Sequence, residues 1–165
     1  MREAMDEEKV DKSDRKGAAV KFPPPVIFLI SMAVAFGLHT VFPLNMGLPI
    51  MAQYLGGLII LSALALVFYI SQIFSRLKTS IEPWKPTTAI ISTGIYAYSR
   101  NPIYVAFCLV PVGLGLIMNS LWLLSSFLPA AFLVYVIAIK KEEFYLEEKF
   151  GEEYLAYKTK VRRWL

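Results

Sequence analysis

The sequence predicts an all-α integral membrane protein, a helical bundle of about four transmembrane helices plus an amphipathic C-terminal cytoplasmic helix. Of its 165 residues, 56% are hydrophobic, and the mean hydropathy is +0.52, which is high for a soluble domain of this length. No Lys, Arg, Asp or Glu occurs in residues 22–75 or in residues 101–139. A helix needs about 20 apolar residues to cross a bilayer, so each uncharged stretch can hold a hairpin of two such helices.

The four predicted spans follow from the turns that divide these two stretches. The first stretch divides at FPLNMGLP and the second at MNSL. The predicted spans are residues 26–41, 51–74, 103–118 and 121–139. Pro111 and Pro129 lie inside the third and fourth spans. Because each proline removes a backbone hydrogen bond, we expect a kink at both positions.

The spans divide the chain, a single predicted domain of residues 1–165, into five parts. These are a tail, a first hairpin, a connecting loop, a second hairpin and a C-terminal segment, at residues 1–21, 22–74, 75–101, 102–139 and 140–165. The tail mixes charges of both signs without apolar periodicity, so we expect it to be solvated and partly disordered. Its six acidic residues argue against a signal peptide.

The distribution of basic residues predicts the orientation of the chain. All 17 Lys and Arg residues lie in three segments, with six in residues 1–21, four in residues 76–100 and seven in residues 140–163. Basic segments stay on the cytoplasmic side, so we expect both termini and the loop to be cytoplasmic and the hairpin tips to face outward. The net charge of +4 is therefore a topology signal. No basic stripe with interleaved aromatic residues predicts a nucleic-acid partner.

Other classes of site find little support in the sequence. Cys108 is the only cysteine and lies within a span, so we expect a buried, unreactive thiol. The lone His39 lies near the outer end of the first span, and no cluster of ligand residues predicts a metal. The sequence GLGL at residues 113–116 lies in mid-membrane and is interpreted as a packing feature rather than a dinucleotide fingerprint. A Ser-His-Asp triad cannot be assembled from these residues.

Two cytoplasmic segments contain the candidate chemistry. SRNPIY begins the third span, where Asn101 or Ser99 could cap the helix and Pro102 suits its first position. Arg100 would then only reach toward lipid phosphates. The C-terminal segment KKEEFYLEEKFGEEYLAYKTKVRRWL has aromatic residues at mostly helical spacing, which predicts an amphipathic helix broken at Gly151 and lying along the interface. By itself it could be a surface anchor, but its acidic pair could also share one space with Arg100.

The order of these blocks resembles a known family. GIYAYSRNPIY, then two apolar helices, then EEFYLEEKFGEEYLAYKTKVRR, is similar to the signature region of the isoprenylcysteine carboxyl methyltransferase family and its bacterial and archaeal relatives, which use S-adenosylmethionine. The resemblance covers the second half of the chain. The positions that carry it are Gly94, Tyr96, Arg100, Asn101, Pro102, Tyr104, Glu142, Glu143, Phe150, Gly151, Tyr154 and Tyr157.

The resemblance implies that S-adenosylmethionine is held at the cytoplasmic face by the loop, the start of the third span and the helix after the second hairpin. The cofactor contacts that it implies are Thr88, Ala89, Ile90, Ile91, Tyr96, Asn101, Pro102, Ile103, Tyr104 and Glu142. The candidate catalytic residues are Arg100, Glu142 and Glu143. Asn101 replaces the histidine common in eukaryotic members, and its amide cannot titrate near neutrality. Ala138 replaces an arginine of those members, so the resemblance does not extend to that contact with a prenylcysteine carboxylate.

The predicted function is methyl transfer from S-adenosylmethionine to a lipophilic or small acceptor, such as a prenylcysteine-like carboxylate, a lipid amine or a thiol. Tyrosine faces, Arg100 or helix-start amides, and apolar walls suit the sulfonium, the carboxylate and the adenine respectively. The expected partners are the lipid bilayer and the acceptor, without nucleic acid or metal, and the sequence does not identify a protein partner. One alternative is a small four-helix transporter, although such proteins usually keep an ionisable residue within a span. Another is a non-catalytic membrane adaptor that presents its basic, aromatic tail.

Overall fold

The computed structural model describes residues 17–20 and 22–165, and within them the chain is helical without any β-strand. The prediction of an all-α fold is therefore confirmed, while most of the predicted tail lies outside the described residues. The α-helices are α1 (Pro24–Val41), α2 (Ile50–Arg76), α3 (Pro102–Ile117), α4 (Leu121–Ser125), α5 (Phe127–Val134), α6 (Lys140–Phe150) and α7 (Glu152–Lys160). A 3₁₀ helix (Gly94–Ala97) precedes α3, and a π-helical turn (Tyr135–Ile139) joins α5 to α6.

Among the described residues, three helices are long and apolar enough to cross a membrane. They are α1 (Pro24–Val41), α2 (Ile50–Arg76) and the longer helix Leu121–Phe150, which consists of α4, α5, the π-helical turn and α6. Helix α3 has only 16 residues, about 24 Å at the helical rise. The first three predicted spans begin and end close to the observed helices. The predicted fourth span ends at residue 139, and the helix that contains it continues to Phe150. Lys and Glu are good helix formers, so the charged residues that leave the apolar run extend the same helix.

Helix α3 lies at the centre of the bundle. It makes its most extensive contact with α2 and also packs against α4, α5 and α1. A Cβ atom at Gly56 of α2 would lie 2.5 Å from the Gly113 carbonyl oxygen, and one at Gly113 would lie 2.7 Å from the Gly56 carbonyl oxygen. The two helices therefore touch through their backbones. This contact confirms that the glycine-rich run at 113–116 is a packing feature.

The helix–helix contact at Gly56 gives a prediction about stability. We expect Gly56→Ala to lower the free energy of unfolding by about 1–3 kcal/mol, because the added methyl group must push two backbones apart. Gly57 is the matched control, since a Cβ atom there would have no neighbour within 4 Å. Thermal melting of both variants in the same detergent checks this. A Gly56→Ala variant as stable as Gly57→Ala would show that the helices are not in such close contact.

Only one of the two prolines inside the third and fourth predicted spans lies beside an interruption of its helix. Helix α3 continues through Pro111, while Pro129 is the third residue of α5, just after the helix is interrupted at Ser126. Cys108 is partly buried against the apolar core. The described residues contain no group of three His, Cys, Asp or Glu side chains that could hold a metal ion.

The two hairpin tips are joined to each other at the uncharged end of the bundle. The Trp122 indole N–H donates to the Phe42 carbonyl oxygen at 2.8 Å, and the Leu48 N–H donates to Asn119 Oδ1 at 3.2 Å. These bonds fix the spacing of the hairpins at that end. The opposite, charged end, which contains the loop 77–101 and the C-terminal helices, is where the chain leaves room for a crevice.

Residues 17–20 and the C-terminal helices close the charged end. Ala18 is buried in the same apolar cluster as Tyr104, and its N–H donates to the Pro83 carbonyl oxygen at 2.9 Å. Gly151 has a φ of +51°, a conformation that favours glycine, and it allows the chain to turn from α6 into α7. The predicted break at Gly151 is confirmed. Through this turn the last five residues return to the start of α3.

Candidate functional site

A crevice of about 890 Å³, including its open mouth, lies at the charged end between the loop, the start of α3 and helices α6 and α7. Ten of the twelve predicted site residues line it: Ala89, Ile90, Ile91, Tyr96, Arg100, Asn101, Ile103, Tyr104, Glu142 and Glu143. The structure does not bring the other two to its wall. Thr88 is exposed, with its N–H donating to Thr79 Oγ1 at 3.2 Å, and Pro102 is buried at the start of α3.

The start of α3 is held by the end of the chain rather than by a capping side chain. Asn101 occupies the N-cap position, but its side chain makes no capping hydrogen bond. Its Nδ2 instead donates to the Arg163 carbonyl oxygen at 2.9 Å, and the Arg100 N–H donates to the Arg162 carbonyl oxygen at 2.9 Å. Ser99 Oγ accepts from the Asn101 N–H at 3.2 Å. Asn101 thus has the predicted N-cap position, with Pro102 at the start of the helix, but neither its side chain nor that of Ser99 makes a capping hydrogen bond to α3.

Two guanidinium groups surround one buried carboxylate at the back of the crevice. Arg163 donates from Nε to Glu143 Oε1 at 2.8 Å and from Nη2 to Oε2 at 2.9 Å, a bidentate pair of the strongest kind. Arg100 Nη1 lies 3.1 Å from the same Oε1. The hydrogen bond to Glu143 raises the pKa of Arg163. Because two cations face one anion, this cluster has a surplus of one positive charge.

The guanidinium of Arg100 is incompletely satisfied. Its side chain is only 8% exposed, yet its Nε and Nη1 have no hydrogen-bond acceptor among the residues that the structure describes. The contact of Nη1 with Glu143 is thus an ion pair without the alignment of a hydrogen bond. Buried donors in proteins are nearly always paired. The arrangement therefore suits a ligand that brings an anionic oxygen.

The second carboxylate of the acidic pair faces the crevice from the adjacent position. The Tyr104 hydroxyl donates to Glu142 Oε1, and Tyr104 is itself buried. The bond joins the first turn of α3 to α6. It leaves the other oxygen of Glu142 available to a cationic group in the crevice.

Aromatic rings form much of the remaining wall. The Tyr157 hydroxyl donates to the Tyr96 carbonyl oxygen at 2.7 Å, and the Tyr154 and Tyr157 ring centroids are 6.0 Å apart. Burial raises the pKa of both Tyr154 and Tyr157 to about 12, and it raises the pKa of Tyr96 as well. These phenols are neutral at physiological pH. They can therefore present ring faces and hydroxyl groups, but not charge, to a ligand.

Several wall residues were not predicted as site residues from the sequence. Tyr154 and Tyr157 belong to the motif that carries the family resemblance, which was a usable signal. Tyr145 lines the crevice, and its hydroxyl oxygen accepts from the Thr87 N–H at 3.3 Å. Ala18 lines the crevice, and Arg163 contacts the wall residue Glu143. Neither position had a local signal, because both reach the site only through the tertiary fold.

Comparison with known proteins identifies the family. The family model described as phospholipid methyltransferase matches residues 51–153. A relative from Haemophilus influenzae, described as an uncharacterized protein, is 45% identical over 51 residues, which are 28% of this chain and 81% of the relative. The protein-S-isoprenylcysteine O-methyltransferase of Saccharomyces cerevisiae is 35% identical over 72 residues, and that of Xenopus laevis is 32% identical over 72 residues.

Each of the two matches with isoprenylcysteine methyltransferases covers 44% of this chain, but only 30% of the yeast protein and 25% of the frog protein. The family match, by contrast, covers more than half of the chain and includes α2, the loop, α3 and α6. The matched range thus contains all twelve predicted site residues. The resemblance predicted from the motifs is confirmed, and the chain belongs to the phospholipid methyltransferase family, a family of membrane methyltransferases.

Proposed function

We propose that this protein is an integral membrane methyltransferase that binds S-adenosylmethionine in the crevice and transfers its methyl group to a lipophilic or small acceptor. The observation that carries the proposal is the buried guanidinium of Arg100, whose Nε and Nη1 lack acceptors among the described residues, in the same crevice as the Glu142 carboxylate. An anion-binding group and a cation-binding group thus share a wall with apolar and aromatic side chains. Family membership supplies the methyltransferase chemistry.

The residues present fit the three parts of S-adenosylmethionine. Its carboxylate suits Nε and Nη1 of Arg100, which have no hydrogen-bond acceptor among the described residues, and its positively charged part suits Glu142 and the neighbouring tyrosine faces. Ile90, Ile91 and Ile103 line the crevice and offer apolar contacts to the adenine.

S-adenosylmethionine supplies a methyl group on a sulfonium: the acceptor's lone pair forms the new bond to carbon, and the carbon–sulfur electrons return to sulfur. The residues of the chain align donor and acceptor and exclude water, which in well-oriented systems lowers a barrier by about 7–11 kcal/mol. A carboxylate or thiolate acceptor requires no base. An amine acceptor loses a proton, and Glu142 is the better base, because Glu143 is already bound by two guanidinium groups.

The proposal includes a membrane arrangement. Helix α3 joins the three longer helices as a fourth, short span, accommodated by local thinning of the bilayer. Both termini, the loop and the crevice face the cytoplasm, as the basic segments predict. Phe144 of α6 and Leu155 of α7 are exposed and are placed to contact the interface as parts of the amphipathic C-terminal segment. A lipophilic acceptor enters from the bilayer, while the water-soluble donor enters from the cytoplasm.

The test combines binding with product identification. We expect purified protein in detergent to bind S-adenosylmethionine saturably in calorimetry, with a Kd in the range of about 1 μM to 1 mM that is usual for enzyme substrates. Protein incubated with methyl-labelled donor and a membrane extract should yield labelled product, whose mass identifies a lipid amine, carboxylate or thiol. Heat-denatured protein is the control. Absence of saturable binding by folded, monodisperse protein would refute the proposal.

A further inference from the structure

We propose that Arg163 is a positioning residue that occupies both oxygens of Glu143 and thereby keeps the guanidinium of Arg100 available to a ligand carboxylate. Arg163 lies outside the residues 51–153 that match the family model, and no motif singled it out. The inference rests on the proposed function, in which Arg100 receives the carboxylate. The ligand carboxylate can belong to the donor or to the acceptor.

The first support is the unequal way in which two arginines share one carboxylate. Arg163 makes two aligned hydrogen bonds to Glu143, at 2.8 and 2.9 Å, one to each oxygen. Arg100 has one contact with Oε1 at 3.1 Å, and its Nε and Nη1 have no acceptor in the described part of the chain. Glu143 is thus turned toward Arg163, although Arg100 is the more deeply buried cation.

The second support is what the cluster would do without Arg163. Glu143 is only 7% exposed, and an unpaired buried carboxylate is strongly disfavoured. The nearest remaining cation is Arg100, already 3.1 Å away. Glu143 would therefore pair fully with Arg100 and use the N–H groups that a ligand carboxylate needs. A ligand carboxylate would then have to displace the Glu143 carboxylate from Arg100.

The third support is that Arg163 is fixed in place independently of Glu143. Its carbonyl oxygen accepts from Asn101 Nδ2 at 2.9 Å, and its guanidinium lies 5.0 Å from the centre of the Tyr135 ring. The preceding residue, Arg162, accepts from the Arg100 N–H through its carbonyl oxygen. The hydrogen bonds of the backbone at residues 162 and 163 thus fix the positions of Arg163 and Arg100 relative to each other. The distance between the two guanidinium groups is set by backbone contacts, not by the carboxylate alone.

The experiment measures the Kd of S-adenosylhomocysteine and of 5′-methylthioadenosine, which has the same nucleoside thioether but no carboxylate, by calorimetry. We expect Arg163→Ala to weaken S-adenosylhomocysteine binding by about 10-fold or more, the size of a lost charge-assisted hydrogen bond, and to leave methylthioadenosine binding unchanged. Adding Glu143→Gln to Arg163→Ala should restore most of the affinity, because the competing carboxylate is gone. Arg162→Ala, which removes an exposed neighbouring charge, is the matched control.

A second arm distinguishes the source of the carboxylate. If it belongs to the acceptor, S-adenosylhomocysteine binding stays unchanged, while the KM for a carboxylate acceptor, N-acetyl-S-farnesyl-cysteine, rises in Arg163→Ala and recovers in the double variant. Recovery in either arm supports the inference. A double variant no better than Arg163→Ala in both arms overturns it, because a merely structural arginine would not be rescued by Glu143→Gln.

Failure of the inference can be told apart from failure of the proposed function. If Arg100→Ala weakens binding and Arg163→Ala does not, Arg100 binds the carboxylate without help from Arg163, and only the inference is wrong. If Arg100→Ala changes neither arm, the assignment of Arg100 in the proposed function fails, and the inference fails with it. Arg163→Lys keeps the charge and should retain a folded, monodisperse protein if Arg163→Ala does not.

Discussion

Replacing Glu142 with glutamine is expected to raise the Kd for S-adenosylmethionine by about 10–150-fold. A hydrogen bond to a charged group contributes about 1.5–3 kcal/mol, which corresponds to that range of affinity. Glutamine has nearly the shape of glutamate, so the change removes the negative charge that we assign to the cationic part of the donor while keeping the wall of the crevice. Calorimetry with S-adenosylmethionine and S-adenosylhomocysteine measures the effect.

The comparison of the two ligands sharpens this prediction. S-adenosylhomocysteine lacks the sulfonium charge but keeps the amino group, so a larger loss for S-adenosylmethionine places Glu142 beside the sulfonium. Tyr104→Phe is the matched variant, because it removes the hydroxyl that donates to Glu142 and leaves the carboxylate. We expect it to weaken binding by only about 2–10-fold. Equal and intact binding in both variants would rule out this part of the crevice as the donor site.

Replacing Arg100 with alanine is the second large effect that we expect. The change removes the buried guanidinium whose Nε and Nη1 lack acceptors among the described residues, so the ligand carboxylate loses its partner, and the affinity or KM for the carboxylate ligand worsens by about 10–150-fold. Glu143 stays bidentately bound by Arg163. The fold should therefore survive, and circular dichroism with thermal melting checks that it does.

Arg100→Lys is the control that separates charge from geometry. Lysine keeps the positive charge but lacks the planar fork of arginine, so we expect an affinity between those of the wild type and Arg100→Ala. If alanine and lysine at this position both bind the donor and the acceptor as well as the wild type does, Arg100 does not contact the ligand.

Local patterns of the sequence were enough to predict the helices, and the family resemblance predicted ten of the residues that line the crevice. Uncharged runs locate the helices because burying a charge in hydrocarbon is unfavourable, and the motif around Arg100 brings loop and helix start together within a few residues. The helix end at Phe150 was not predictable from hydropathy, since a helix can leave the apolar layer without ending. A membrane span and the helix that contains it can therefore end at different residues.

The contacts made by residues 162 and 163 depend on tertiary structure, so they could not be predicted from the sequence. Asn101 has the expected N-cap position. Its side chain, however, donates to the carbonyl oxygen of Arg163, which is far away in the sequence. Arg163 reaches Glu143 only because Gly151 lets α7 fold back. Neither partner could be chosen from spacing alone, because Lys140, Lys141 and Arg162 are equally basic neighbours in the sequence.

The π-helical turn Tyr135–Ile139 sets the rotational angle at which both carboxylates leave their helix. Successive residues of an α-helix are separated by about 100° around its axis, and a wider turn accommodates an extra residue. Rewinding this turn into regular α-helix would therefore swing Glu142 and Glu143 together around the axis, away from Tyr104 and Arg163. The direction in which Glu142 and Glu143 leave the helix is thus set by a turn several residues earlier in the sequence.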